Sequence, residues 1–437
     1  MAGANGSREQ WGSRAGFILA AIGSAVGLGN MWRFSYLTAE GGGAAFLVLY
    51  LLLVAAVGVP VMLAELVVGR GSGRSPVGAL SHYGGPRWRP LGALFLASGF
   101  LILSYYSVIA GWTLRYAISA LGGFGADSGA YFERVATGPA SVAWHLLFMA
   151  ITVGIVVGGV NRGIERVSIV LMPLLFAIIC GIALYAATLP GAGRGYEFYL
   201  SIDLAKVFDW QVLNHAAGQA FFSLSLGMGA MLTYASYLSE DENLPNESVI
   251  IAAADFAVAF VAGLAVFPLL FALGLEREVG DSTLGALFIT LPTAFHEMGG
   301  AGRIVGPLFF VALAVGALTS AISLLEVVVS TAIDQLGWPR PRAAVVLGAA
   351  CALLGIPSAL DLGVLGFMDQ LAGTLFLVFG GLMLSIFVGW VMPDPVAEAR
   401  QGAEGVTWFF AWRWLLRSVV PALLVVVLWQ SLRALVG

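Results

Sequence analysis

Side chains able to hold ions or polar groups are few in this chain, and each interrupts a long apolar stretch. Asn30 and Arg33 follow "GSAVGLG" at 23–29, and Tyr105 and Tyr106 are adjacent. Ser223 and Ser225 begin "SLSLGMG", Asp255 stands alone, Thr319 and Ser320 are adjacent, and Asp369 begins another apolar stretch. Glu65, Asp255 and Glu326 also lie inside or at the end of apolar runs, where an ionisable group is costly and is read first as functional. Enzyme chemistry is not expected. "HEMGG" at 296–300 lacks the second His of a zinc motif, no Gly-rich phosphate loop carries a Lys, and Lys206 is the only lysine.

The elements that position these residues follow from composition. The 437 residues are 59% hydrophobic and 11% charged, with mean hydropathy +0.91, so lipid is the solvent. About 20 helical residues, each rising about 1.5 Å, cross a hydrocarbon layer of roughly 30 Å. Eleven runs qualify: 15–32, 41–64, 90–114, 135–161, 167–193, 210–239, 248–275, 304–325, 343–360, 370–393 and one around 411–432. None has the alternation of a membrane barrel, so an all-α membrane protein with eleven transmembrane helices is expected. Arg8, Arg14, Arg70, Arg74, Arg87, Arg89, Arg162, Arg166, Arg340 and Arg342 share one side, which places the N-terminus in the cytoplasm and the C-terminus outside a cell membrane. No apolar run precedes Ala15, so no cleaved signal peptide is expected. Cys180 and Cys351 read as packed small hydrophobes, and no basic cluster suggests nucleic acid.

Two runs are broken in corresponding places. Gly23, Gly27 and Gly29 weaken the first helix, and Gly227 and Gly229 echo them in the sixth. The first and sixth runs each begin a group of five, the pattern of an inverted-repeat transporter whose half-helix ends and freed carbonyls bind substrate and cations near the midplane. The expected organisation is a single transporter domain over 1–437, with repeats at 12–187 and 210–390 and an accessory helix at 411–434.

Six ordered motifs carry a resemblance that covers nearly the whole chain. They are "REQWGSRAGFILAAIGSAVGLGNMWRF" (8–34), "EGGGAAF" (40–46), "NRGIERV" (161–167), "GQAFFSLSLGMGAMLTYASY" (218–237), "ALTSAIS" (317–323) and "MDQLAGT" (368–374). The chain resembles the neurotransmitter:sodium symporter family, specifically its bacterial amino-acid transporters.

The resemblance implies two Na+ sites. One would use the Ala25 carbonyl, Asn30, Ser223, Asp255 and the substrate carboxylate. The other would use carbonyls of Gly23, Val26 and Gly316 with the hydroxyls of Thr319 and Ser320, an all-oxygen set suited to a hard cation. The substrate carboxylate would meet the N–H groups of Leu28 and Gly29 and the Tyr106 hydroxyl. Its amine would meet carbonyls of Ala25, Phe222 and Ser223 and the Ser225 hydroxyl. Ile102, Phe222, Met228 and Leu324 would line the side-chain subsite, with Ser24 and Ser320 at its edge. Met228 suits large apolar or aromatic side chains. Gly27 stands where amine carriers of the family have Asp, which points to an α-amino acid. Arg33 with Asp369 would form an outer gate, and Arg8 with Asp334 an inner gate supported by Trp11 and Tyr237. Glu65 would accept backbone amides exposed by the helix breaks.

Tyr50, Gln219 and Ser223 match the family's chloride site, but Asp255 and Ala259 replace an Asn and a Ser. Asp255 would substitute for the anion, so transport is expected to be chloride-independent. Without sodium a buried carboxylate is costly as an anion, which opens a route to proton antiport. The expected function is sodium-coupled import of a hydrophobic or aromatic L-amino acid, with no obligatory protein partner. A symporter of a small or polar amino acid and a sodium-conducting channel are the alternatives.

Overall fold

A computed structural model describes residues 9–275 and 283–436, and it is helical throughout. The only β feature among the described residues is an isolated bridge between Gly43 and Ile202. Among the described residues nine helices are long and apolar enough to cross a membrane: Ala44–Ser72, Pro86–Leu121, Gly138–Val157, Val160–Ala187, Leu244–Ala272, Gly302–Leu336, Arg340–Leu360, Leu362–Val391 and Phe409–Arg433. The pair Arg14–Ala25 and Gly29–Glu40, bent by 61°, makes a tenth. The expected eleven are thus not all reached by length. The sixth run falls short because its break leaves pieces of 14 and 6 residues, Trp210–Ser223 and Ala230–Ala235.

Both breaks have local causes. In the first run Val26 turns extended (φ −76°, ψ 108°), and a π-helical turn, Gly29–Arg33, resumes the helix. In the sixth, Ser225, Gly227 and Gly229 all take positive φ (53°, 77° and 74°). Gly227 is required twice over, since a Cβ there would lie 2.3 Å from the Leu377 carbonyl oxygen. Positive φ at Ser225 is a strained choice for a residue with a Cβ, of the kind that collects at functional sites. The amides released by this break are satisfied by Glu65, whose carboxylate accepts from the N–H groups of Gly227 (2.8 Å) and Leu232 (3.1 Å).

The helix Gly302–Leu336 is the centre of the bundle. Its most apolar 18-residue stretch is 83% buried, against 22% for Phe409–Arg433, which therefore faces lipid. Gly302–Leu336 packs along Pro86–Leu121 and against Arg14–Ala25, so the hydroxyls of Thr319 and Ser320 face the first break. Cys180 and Cys351 are free thiols.

Candidate functional site

Around Asp255, fully buried on Leu244–Ala272, three donors converge. Asn30 Nδ2 donates to Oδ1 (2.7 Å), the Tyr50 hydroxyl to Oδ2 (3.0 Å), and Ser223 Oγ lies 2.9 Å from both carboxylate oxygens. Asn30 Oδ1 in turn accepts from the Gly27 N–H (3.0 Å), which ties the carboxylate to the break. Gln219 Nε2 donates to the Gly29 carbonyl (3.0 Å), while Gln219 Oε1 is buried without a partner. One turn beyond Asp255, Ala259 is fully buried and offers no hydrogen-bonding group.

A second convergence lies on the other side of the break. Ser320 Oγ is 3.3 Å from the carbonyl oxygens of both Gly23 and Ser24, 3.4 Å from that of Val26 and 3.1 Å from that of Gly316. Thr319 Oγ1 is 3.1 Å from the Gly316 carbonyl. A hydroxyl has one proton, so it satisfies one of these acceptors at a time. Acceptors crowded about an acceptor make a site for a cation with oxygen ligands. Among the described residues no three His, Cys, Asp or Glu side chains gather as they would for a transition metal.

Between the two clusters is a cavity of about 30 Å³. Every expected substrate-contacting residue except Leu28 lines it: Ala25, Gly29, Ile102, Tyr106, Phe222, Ser223, Ser225, Met228, Ser320 and Leu324, joined by Ser24 and Gly27. Leu28 lines a neighbouring cavity instead, and its N–H donates to the Tyr106 hydroxyl (3.3 Å). The Ser225 hydroxyl donates to the Ser24 carbonyl (2.8 Å). A Cβ on Gly27 would lie 2.7 Å from Ser320 Oγ and 2.8 Å from the Tyr106 hydroxyl, so any side chain there would intrude between them.

Phe222 divides this cavity from a vestibule of about 350 Å³ lined by Arg33, Tyr105, His215, Leu284 and Asp369 among others. Arg33 and Asp369 share the vestibule but make no ion pair. The Arg33 guanidinium lies over the Phe222 ring, 4.9 Å from its centroid, and Asp369 accepts from the Tyr105 hydroxyl (2.8 Å). Each of the two side chains thus holds one wall of the vestibule.

The face carrying the N-terminus is closed by contacts that the sequence reading missed. Arg8 lies outside the described residues, and Asp334 accepts from the Ser75 N–H (2.7 Å). Trp11 Nε1 donates to the Tyr234 carbonyl (2.9 Å). Arg340 pairs with the buried Glu326 (2.7 Å) and with Glu9 (2.8 Å), while the Tyr237 hydroxyl donates to Glu326 (2.6 Å). Glu165 accepts from the Gly12 N–H (2.6 Å) and the Ser13 hydroxyl (2.7 Å), fastening the start of the first helix to the π-helical turn Val160–Glu165.

Comparison with known proteins agrees with this geometry. The sequence profile of the Sodium:neurotransmitter symporter family matches residues 8–124 and 133–436. The crystal structure of MhsT in complex with L-phenylalanine is similar with a TM-score of 0.88 at 42% identity, covering 97% of this chain and 100% of that one. The sodium-dependent transporter YhdH of Bacillus subtilis (strain 168) is 35% identical over 446 residues, covering 96% of each chain. A sodium-dependent transporter of Haemophilus influenzae is 31% identical over 460 residues, covering 98% of this chain and 99% of that one.

Proposed function

The chain belongs to the sodium:neurotransmitter symporter family, and from that premise we propose that it imports a hydrophobic or aromatic L-amino acid by alternating access. The family is one of sodium-dependent membrane transporters and not of enzymes. The observation that carries the substrate reading is the cavity beside the first break. Apolar Ile102, Phe222, Met228 and Leu324 share it with hydroxyls of Tyr106, Ser225 and Ser320 and with the Gly27 gap. That combination suits an apolar side chain joined to an ammonium and a carboxylate, and MhsT, which is similar, was crystallised with L-phenylalanine.

Two sodium ions are the coupling ions in this reading. One sits near Asn30, Ser223 and Asp255, the other near Thr319, Ser320 and the Gly23, Val26 and Gly316 carbonyls. Residues 12–187 and 210–390 are the inverted repeats. The N-terminus is cytoplasmic, as its arginines favour, so the vestibule opens outward and Arg33 and Asp369 close it when substrate is held. The direct test is uptake into proteoliposomes in sodium against potassium. Saturable sodium-dependent uptake of phenylalanine or leucine is expected, whereas sodium current without substrate would favour a channel.

Chloride is not required, because the Asp255 carboxylate supplies the negative charge and Ala259 has no donor for an anion. Replacing chloride with gluconate is expected to leave uptake unchanged, and Asp255→Asn with Ala259→Ser to make it chloride-sensitive. Loss of uptake by the native protein in gluconate would overturn this. Proton antiport follows from the same carboxylate once sodium leaves, and uptake indifferent to an imposed pH gradient would remove it.

Met228→Phe fills part of the side-chain space and is expected to shift preference toward smaller amino acids. The size of the effect is about 1–3 kcal/mol, roughly 10- to 200-fold in relative uptake. Glycine or alanine as the best substrate of the native protein would contradict the pocket assignment.

A further inference from the structure

On the last lipid-facing helix, Phe409–Arg433, two faces of the first two turns differ in kind. Phe409, Trp412 and Leu416 are buried, and Trp412 Nε1 donates to the Pro60 carbonyl (2.9 Å). Phe410, Arg413, Trp414 and Arg417 recur at helical spacing and form a second stripe, in which Phe410 is 85% and Trp414 55% exposed. The span is interrupted at Ser418, which separates Phe409–Arg417 from Val419–Val436. The second piece has 18 residues, about 27 Å at about 1.5 Å each, and nearly covers a hydrocarbon layer of roughly 30 Å, so the first piece suits headgroup depth, where Trp and Arg are the customary anchors.

The two arginines lack acidic partners. Neither forms an ion pair among the described residues, and Glu398, the nearby acid on Pro395–Arg400, is taken by Arg70. Arg413 is half-buried, and its Nε is covered without an acceptor among the described residues, so contact with an outside acceptor falls to its terminal nitrogens. Arg417 lies over the exposed Trp390 ring, 4.9 Å from its centroid, and uses Nε to hold the Gly389 carbonyl (2.6 Å). A guanidinium fork matches phosphate oxygens, and residues four apart on a helix stand close enough to straddle one phosphate.

We propose that Arg413 and Arg417, flanked by Trp390 and Trp414, form a binding site for the phosphate of an anionic phospholipid. The charge of the site favours an anionic over a zwitterionic headgroup, since two cations meet one net negative charge instead of a neutral pair.

Native mass spectrometry of the full-length protein in detergent, with phosphatidylglycerol or phosphatidylcholine added, tests this. The native protein is expected to retain phosphatidylglycerol at least fivefold more than phosphatidylcholine. Arg413→Gln with Arg417→Gln is expected to abolish the difference, and Arg413→Lys with Arg417→Lys to keep part of it. Sodium-dependent phenylalanine binding serves as the check that each variant is folded, and the single Gln variants replace the double one if it is not. Equal retention of both lipids by the native protein overturns the proposal, as does undiminished preference in the Gln variants. Inorganic phosphate at equal concentration is expected not to compete; complete competition would make this a free-anion site and refute the lipid.

Discussion

Thr319→Ala is expected to raise the sodium concentration for half-maximal substrate binding by about ten- to a hundredfold, and Ser320→Ala by at least as much. Hydrogen bonds and ligand contacts to a charged partner are worth about 1.5–3 kcal/mol, and each 1.4 kcal/mol is about a tenfold change. Thr319 and Ser320 supply the hydroxyls at the Gly316 carbonyl, and the acceptors around them are main-chain carbonyls of Gly23, Ser24, Val26 and Gly316, which no substitution deletes. Substrate affinity is expected to fall in parallel, because the cation and the amino acid stabilise the same arrangement of the broken helix. Sodium titrations of both variants at fixed substrate decide the matter. An unaltered sodium requirement in both would remove the cation from this cluster.

Glu65→Ala is expected to abolish stable folding, while Glu65→Gln loses only part of the stability. The carboxylate holds two main-chain donors, one inside the second break and one in the first turn of the helix after it, and it is completely buried. Each donor left unpaired costs about 1–3 kcal/mol, so alanine removes about 2–6 kcal/mol, comparable with the whole margin of many domains. Glutamine keeps one carbonyl acceptor and presents an amide where an acceptor is needed, so its cost is intermediate. Size-exclusion profiles and thermal unfolding in detergent distinguish the three proteins. A Glu65→Ala variant as monodisperse and heat-resistant as the native one would rule out this role.

The residues legible from sequence are those whose type is improbable in lipid. Asp255, Glu65, Asn30 and the paired Thr319 and Ser320 are conspicuous against apolar neighbours, and the glycines beside them mark where the helices open. The bond from the Gly27 N–H to Asn30, three residues away, was not read from the sequence. Pairings between distant segments were not read either. Arg340 and Arg70 read only as topology charges, yet one holds Glu326 and Glu9 and the other holds Glu398 and the Glu242 and Gln401 carbonyls. A charge rule counts arginines per loop and carries no information about which carboxylate each will find. The same limit explains Glu165, whose partners Gly12 and Ser13 lie about 150 residues away in sequence. It also explains Arg33 and Asp369, which were expected to meet and instead hold Phe222 and Tyr105. The sixth run is not reached by length for a different reason, since an apolar run does not reveal how much of it remains helical after six residues unwind.

The hydrogen bonds from Ser225 to Ser24 and from the Leu28 N–H to Tyr106 make the recognition surface its own surrogate ligand. On the proposed substrate reading, an arriving ammonium would meet the Ser225 hydroxyl and an arriving carboxylate the Leu28 N–H, each replacing an internal bond. Affinity would then rest on the apolar side chain and the cations, and discrimination on carrying both ionic groups. On that reading, a molecule carrying only one of the two ionic groups would exchange one internal bond and leave the other closed across the place its missing group should fill.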